Sequence, residues 1–412
     1  MVKVLQALAV LSAAALTAAN PVYRRQNAGE SVLRGVNIGG WLLMEPFITP
    51  TVFDDTLDDQ IVDEWTFGER QDTEVATQAV NDHLENFITE DDFAQIKAAG
   101  LSHVRIPVPH WAFDKKDFEP FIVGNRLEKL REGLGWARNN GLMAWIDLHT
   151  APGGQNGFDN DGQLLPQGQW HKDQAQVERT LQVIQMITDE FATPEYADVV
   201  ESIELLNEPA TFQDEAMMPV LKNYYQSGND IVSGNGANAS VVIHDGFKED
   251  PHFWDGFLDG TQLDVHRYQV FSPAALKRTD QERVSTACSY KQPLQQVTNQ
   301  HHFAVVGEWT AAITDCIPYL NGRIVEGARY EGDHSVSNEY IGSCADKSGD
   351  GSNWTQEYKD SLRLFWEAQV DAYGERYFFW TWKTELGADW SYQRLLELGV
   401  LPQDPTDWTP RC

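Results

Sequence analysis

The sequence predicts an α/β fold, a (β/α)8 TIM barrel with loop insertions at the C-terminal face of the strands. Three observations predict it. Eight short β-type runs alternate with helical patterns along 412 residues. No Gly-rich phosphate loop follows any of these runs, which sets aside a doubly wound sheet. Polar residues gather at the ends of several runs, and in a barrel those ends meet at one mouth.

The runs, in order, are Val32 to Asn37, His103 to Pro107, Met143 to His149, Val200 to Asn207, Ser240 to His244, Leu263 to Tyr268, Phe303 to Glu308 and Tyr377 to Trp382. Helical patterns separate them. Glu90 to Ala99 starts behind Thr89 as N-cap and stops at Gly100, Asn125 to Asn140 stops at Gly141, and Asp173 to Phe191 follows. The remaining length falls in insertions, chiefly Thr150 to Lys172 after the third run and Trp309 to Asn353 after the seventh.

The first twenty residues, MVKVLQALAVLSAAALTAAN, place Lys3 before an apolar stretch ending in Ala18 and Ala19. That layout predicts a signal peptide over residues 1–19. Arg24-Arg25 then offers a dibasic processing site, so residues 20–25 read as a propeptide and residues 26–412 as a single barrel domain. Export agrees with Cys288, Cys316, Cys344 and Cys412, an even set without a CxxC pair. Four cysteines allow three connectivities; the favoured one joins Cys316 to Cys344 across a long loop and Cys288 to Cys412 at the tail. Asn238 and Asn353 open glycosylation sequons. Sixty-two acidic against 31 basic residues give a net charge of -31, which repels nucleic acid and anionic membranes alike. A neutral partner is expected, and no apolar span beyond the signal suits a membrane.

The stretch IELLNEP ends an apolar run in Asn207 and Glu208, and FAVVGEW ends another in Glu308. Two glutamates facing each other across a barrel mouth can divide labour, one protonated as general acid and the other ionised as nucleophile. That is the machinery of glycoside hydrolysis, and it suits a neutral substrate. His149 and His266 lie in no spaced ligand motif, so neither a metal nor any other cofactor is expected. Trp41, Trp145 and Trp366 read as core.

The motifs LRGVNIGGWLLMEPFITP, VRIPV, DLHTAPGGQNGFDN, LLNEP, HRYQVF, VVGEWT and FFWTWK, in this order, resemble the fungal exo-β-1,3-glucanases of glycoside hydrolase family 5. The resemblance runs from about Leu33 onward. It implies Glu208 as acid/base, with Asn207 on the sugar 2-hydroxyl, and Glu308 as nucleophile. Arg105 would hold Glu308 ionised by its permanent charge. His149, His266 and Tyr268 would complete the hydrogen-bonding shell. Trp380 would lie under the reacting sugar, Phe158 and Phe271 would clamp the next one, and Glu45 and Asn160 would bind hydroxyls of the terminal sugar. The family's further acidic residue after NGFDN is replaced here by Asp161-Gly162-Gln163-Leu164-Leu165-Pro166, which leaves open whether Asp161 takes over its contact. Asn321 to Tyr330 also departs, with Glu326 where a basic residue is common.

The expectation is a secreted monomer, extracellular or associated with the cell wall, that releases glucose from the non-reducing ends of β-1,3-glucan with retention of configuration. An endo-β-1,4-glucanase or mannanase on the same scaffold would need an open groove. A non-catalytic glucan-binding protein would not need both glutamates.

Overall fold

Eight parallel strands close into a barrel in chain order. They are β1 (Leu33–Asn37), β2 (His103–Val108), β3 (Met143–Leu148), β4 (Val200–Glu204), β5 (Ser240–His244), β6 (Gln262–Arg267), β7 (Phe303–Trp309) and β8 (Arg376–Phe379). The computed structural model describes residues 32–234, 239–248, 250–323 and 326–412. The signal and propeptide segments and Asn238 lie outside them, whereas Asn353 is described and exposed.

Every run read from the sequence is a strand, but four end early: β3 and β6 by one residue, β4 and β8 by three. β4 stops at Glu204 instead of Asn207, and β8 at Phe379 instead of Trp382. Beyond Glu204 the chain still leans on its neighbours, since Leu205 N donates to Val242 O at 3.1 Å and Asn207 N to Leu148 O at 3.0 Å. The pleat, however, breaks to turn Asn207 and Glu208 toward the mouth.

Helices wrap the outside: α1 (Glu64–Arg70), α2 (Thr73–Asn86), α3 (Glu90–Ala98), α4 (Arg126–Asn139), α5 (Gln174–Phe191), α6 (Met217–Gly234), α7 (Asp280–Ser289), α8 (Lys291–Gln300) and α9 (Gln356–Tyr373). Their apolar spacing explains the wrap. On α5, Val177, Thr180, Ile184, Ile187 and Phe191 recur at helical period and are all buried. Asp173 caps that helix by accepting from Ala175 N, and Thr89 forms a capping box on α3. Among the described residues the β5–β6 connection carries only a 3-10 turn, Pro251–Trp254.

Alternation along the strands sorts the barrel interior into layers. Leu33, Trp145, Val242, Val305 and Phe378 fill the lower layer and are fully buried. Each contributes about 1.5–3 kcal/mol by leaving water. One inward position further on come Asp147, His244 and Gly307, level with Arg105, Glu204 and Asp264 of the other strands. The floor of the mouth is therefore charged and dry. Trp41, Trp145 and Trp366 are core, as read from the sequence.

Gly307 shows how this layer is built. Its N–H donates to Asp264 Oδ1 at 2.7 Å, and a Cβ here would lie 2.1 Å from the same carboxylate. The β6–β7 register slips at this point, pairing Val265 with Val306 but His266 with Glu308. Simple alternation would send Glu308 outward among the helices; the bulge re-aims it into the mouth.

The two long insertions are pinned from outside. Asp63, the N-cap of α1, also accepts from Leu164 N at 2.7 Å, and Trp65 N donates to Gly162 O at 2.9 Å. In the second insertion the Cys316–Cys344 disulfide is joined by Asp315, which accepts from Arg329 N and Tyr330 N at 2.9 and 3.0 Å. Cys288–Cys412 anchors the tail to α7. Both pairings are the expected ones.

Candidate active site

A cavity of about 570 Å³ opens at the C-terminal ends of the strands. Glu45, Phe158, Asn160, Glu208, His266, Tyr268, Phe271, Glu308 and Trp380 all line it. Arg105, His149 and Asn207 are not among its lining residues; they are fully buried in the layer directly beneath its floor.

Two donors hold Glu308. Arg105 Nη1 donates to Oε1 at 3.0 Å, and the Tyr268 hydroxyl donates to Oε2 at 2.8 Å. Glu208 sits in a left-handed backbone conformation, φ +43°, just before Pro209. That geometry costs of order 1–3 kcal/mol and turns the carboxylate to face Glu308. Its Oε1 accepts from His266 Nδ1 at 2.7 Å, and the same nitrogen lies 3.4 Å from Glu308 Oε2. His266 Nε2 faces Asp264 Oδ2 at 3.3 Å. Both ring nitrogens thus meet acceptors only, the arrangement of an imidazolium. Burial opposes that charge, but Glu308 and Asp264 outweigh it and hold His266 well above its ordinary value. For Glu308, burial raises the carboxyl above the usual range, and His266, with Arg105 behind it, pulls against that rise.

Beneath them Arg105 uses its whole fork. It donates to Glu204 through Nε at 2.8 Å, to Asn37 through Nη1 at 3.0 Å and to Asn207 Oδ1 through Nη2 at 2.9 Å, with Asp147 at 3.1 Å. Burial works against the guanidinium charge; Asp147, Glu204 and Glu308 prevail and keep it well above its ordinary value. Because Arg105 takes the amide oxygen of Asn207, the amide nitrogen faces His149 Nε2 at 3.2 Å. His149 Nδ1 in turn donates to Asp147 at 2.5 Å, which leaves Nε2 as the acceptor. The His149 ring stacks on Trp380 at 5.7 Å and 17°.

The blind side of the cavity carries Glu45, Asp159 and Asn160. Burial, then Asp159, pushes Glu45 well above the carboxylate range, and burial, then Asp63, pushes Asp159 up to about 7. Oε1 of Glu45 and Oδ1 of Asn160 are buried without a hydrogen-bond partner. Asp161 turns away from the cavity lining: its carboxylate accepts from Gly157 N at 2.8 Å and Asn156 N at 3.3 Å, bracing the loop. The rim rings, Phe158 and Phe271, are 36% and 45% exposed. Glu326 accepts from Ser335 N at 2.6 Å, away from the cavity, which Arg329 lines instead. Ile324 and Val325 of that segment lie outside the described residues.

Sequence reasoning passed over Phe47, Asp159, Phe247, Arg329 and Trp390 in the lining. Asp159 stood inside the quoted NGFDN, and Phe247 follows the end of β5, so both carried a positional signal. Trp390 and Phe47 meet edge to face at 5.6 Å from opposite ends of the chain, a proximity no local pattern announces.

Glu208, His244 and His266 bring three ligand-type atoms within 4.8 Å of one another. The donor set does not fit a cation. Gly246 N donates to His244 Nδ1 at 3.0 Å, so His244 Nε2 carries the ring proton and has no lone pair to give. Both nitrogens of His266 are occupied as described.

Residues 69–325 match the cellulase family, glycosyl hydrolase family 5. The chain is 39% identical to a glucan 1,3-beta-glucosidase of Candida oleophila, over 91% of its own length and 89% of that protein. It is 41% identical to a glucan 1,3-beta-glucosidase of Lachancea kluyveri, over 91% and 88%. Among solved structures, rutinosidase from Aspergillus niger superposes with a TM-score of 0.71 at 18% identity, covering 90% of this chain and 98% of that one; that likeness speaks to the fold. A charged barrel floor holding two glutamates, and relatives at about two residues in five over nine-tenths of the length, lead to one conclusion: this chain is a glycoside hydrolase and belongs to glycosyl hydrolase family 5.

Proposed function

We propose that the protein is a retaining exo-glucosidase that removes single glucose units from the non-reducing ends of β-1,3-glucan. One observation carries the mechanism. Glu208 and Glu308 both reach His266 Nδ1, at 2.7 and 3.4 Å, so one oxygen of each lies within about 6 Å of the other, which favours the close pair of about 5–5.5 Å that attacks directly over the 6.5–9.5 Å pair that admits a water. Direct attack by one carboxylate follows.

Glu308 is the nucleophile, because Arg105 and Tyr268 donate to it alone of the pair and stabilise its charge. Glu208 gives its proton to the departing glycosidic oxygen as Glu308 bonds to the anomeric carbon. A water then replaces the departed sugar, loses its proton to Glu208, and releases β-glucose. Asn207, oriented by Arg105 and His149, is the donor for the 2-hydroxyl.

Exo action is supported by the blind side. The unpartnered oxygens of Glu45 and Asn160 await hydroxyl donors there, and the insertions after β3 and β7 wall off the direction an open groove would need. Trp380 lies under the reacting ring, with Phe158 and Phe271 at the outer rim. All these groups come from one chain, consistent with action as a monomer. Two disulfides favour an oxidising compartment, and among the described residues no helix is long and apolar enough to cross a membrane. We accordingly read residues 1–19 as a removed signal, 20–25 as a propeptide, and 26–412 as the secreted catalytic domain.

Laminarin followed by proton NMR tests the reading. Glucose should be the sole early product and should first appear as the β-anomer, while carboxymethyl-cellulose stays almost untouched. Early laminari-oligosaccharides would overturn exo action, and early α-glucose the double displacement.

A further inference from the structure

A second cavity, of about 550 Å³, lies on the other side of the loop that walls the first. Leu164 faces the mouth and its neighbour Gln163 faces the second cavity, so a single thickness of chain separates the two. Trp65 of α1, Phe118, Pro152 and the start of α5 supply the remaining walls.

The chemistry left over in this cavity is distinctive. Its core charges are already paired: Arg179 holds Glu119 at 2.6 Å and Asp114 at 2.7 Å, and Lys116 holds Asp114 at 2.7 Å. Asp173 is spent on capping α5, and Glu178 accepts from Gln174 at 3.2 Å. Rings and amides remain. Phe118 is 76% exposed at the edge of the cavity. Oε1 of Gln176 is buried without a partner, and among the described residues the amides of Gln163 and Gln182 and the indole N–H of Trp65 have none either. Apolar plates beside neutral donors and acceptors, with both cations cancelled and Asp173 and Glu178 already engaged by neutral N–H donors, match a pyranose: a ring face to stack and hydroxyls to bond.

We propose that this cavity is a second glucan-binding site, which holds a segment of the polymer while a chain end is cut in the mouth. The inference rests on the reading of the enzyme as a β-1,3-glucan hydrolase. The net charge of -31 favours a neutral glycan over an anionic one. A polymer particle offers many chains at once, so a chain lodged behind the wall keeps other chain ends close to the mouth and raises their effective concentration.

The test uses the full protein with two substrates, particulate β-1,3-glucan (curdlan) and laminaritriose. Phe118→Ala and Gln182→Ala should each lower retention on the particles at least about threefold, the worth of one stacked ring or one hydrogen bond. Both should leave kcat/KM on laminaritriose unchanged. Phe253→Ala, which removes another exposed ring elsewhere on the surface, should change neither. The second site is overturned if wild-type protein is not retained, if the two variants are retained like wild type, or if Phe253→Ala loses as much. Failure of the hydrolase reading shows separately, as absence of laminaritriose turnover by the wild type.

Discussion

The floor of the mouth and its rim are built on different principles. The floor consists of strand residues, Arg105, Asp147, Glu204 and Asp264, with Asn207 and His149 beside them, all without access to solvent. Their positions are fixed by barrel register, and Arg105 ties them across strands, to Asn37 of β1, Glu204 of β4 and Glu308 of β7. The rim consists of loop residues: Phe158, Asn160 and Arg329, whose positions depend on insertions pinned by Asp63, Asp315 and a disulfide, and Phe271, which follows β6 and packs against Tyr268 and Trp390. The floor sets what reaction is possible, and the rim sets which chain end arrives. Substitutions should therefore separate: kcat should suffer below and KM above.

The largest effect should come from the two carboxylates where floor and rim meet. Glu308→Ala should lower kcat on laminarin by roughly 10⁴-fold or more, with azide restoring a product of inverted configuration. Glu208→Ala should cost roughly 10²–10⁴-fold on laminarin and much less on an activated aryl glucoside, whose leaving group needs little protonation. Equal losses on both substrates would reverse the assignment of the acid.

Arg105→Lys tests the floor itself. The charge is kept but the fork is lost, leaving carboxylates unpaired in a dry layer, so the variant should lose about 3–5 kcal/mol of stability in addition to kcat. Denaturant melts and laminarin kinetics read the two losses together. A stable variant with only KM raised would erase the distinction drawn between floor and rim.

At the rim, Phe271→Ala should raise KM for laminarin about 2- to 10-fold, the worth of one stacked ring, with kcat nearly unchanged. Laminaribiose and laminarin compared side by side would check it.

The smallest effect concerns pH. Burial pushes Asp161 up to about 7 in the folded chain, against about 3.9 when unfolded. Between those values the folded state binds the extra proton, so this contribution is complete below about pH 4 and disappears as pH rises through 7. The melting temperature should fall by a few degrees between pH 5 and 8, and Asp161→Asn should flatten part of that fall. A slope unchanged by the substitution would assign the loss elsewhere.

The floor was legible because strands announce themselves: apolar runs ending in Arg, Asp, His or Glu point to one mouth, and both glutamates were placed by that pattern. What the runs do not reveal is where pleating stops. β4 was read three residues too long since Leu205 and Leu206 look like strand, although the backbone is already turning to aim Glu208. The rim was legible only through the motifs shared with the family. Asp161 stands in a polar loop, and nothing local says that its carboxylate faces inward to brace Gly157 while Asp159 faces the cavity.

The bulge at Gly307 bears on how dead members of such a family would be recognised. The direction of Glu308 is set by a miscount of one residue in the backbone, and that miscount leaves room at Gly307 for no atom larger than hydrogen beside Asp264. A sister gene with alanine at this position would keep both glutamates, pass any search for them, and still have to displace the Asp264 carboxylate that lies 2.1 Å from the new Cβ, in the layer that holds the nucleophile. Pseudoenzymes on this scaffold are therefore to be sought at a glycine as much as at a carboxylate.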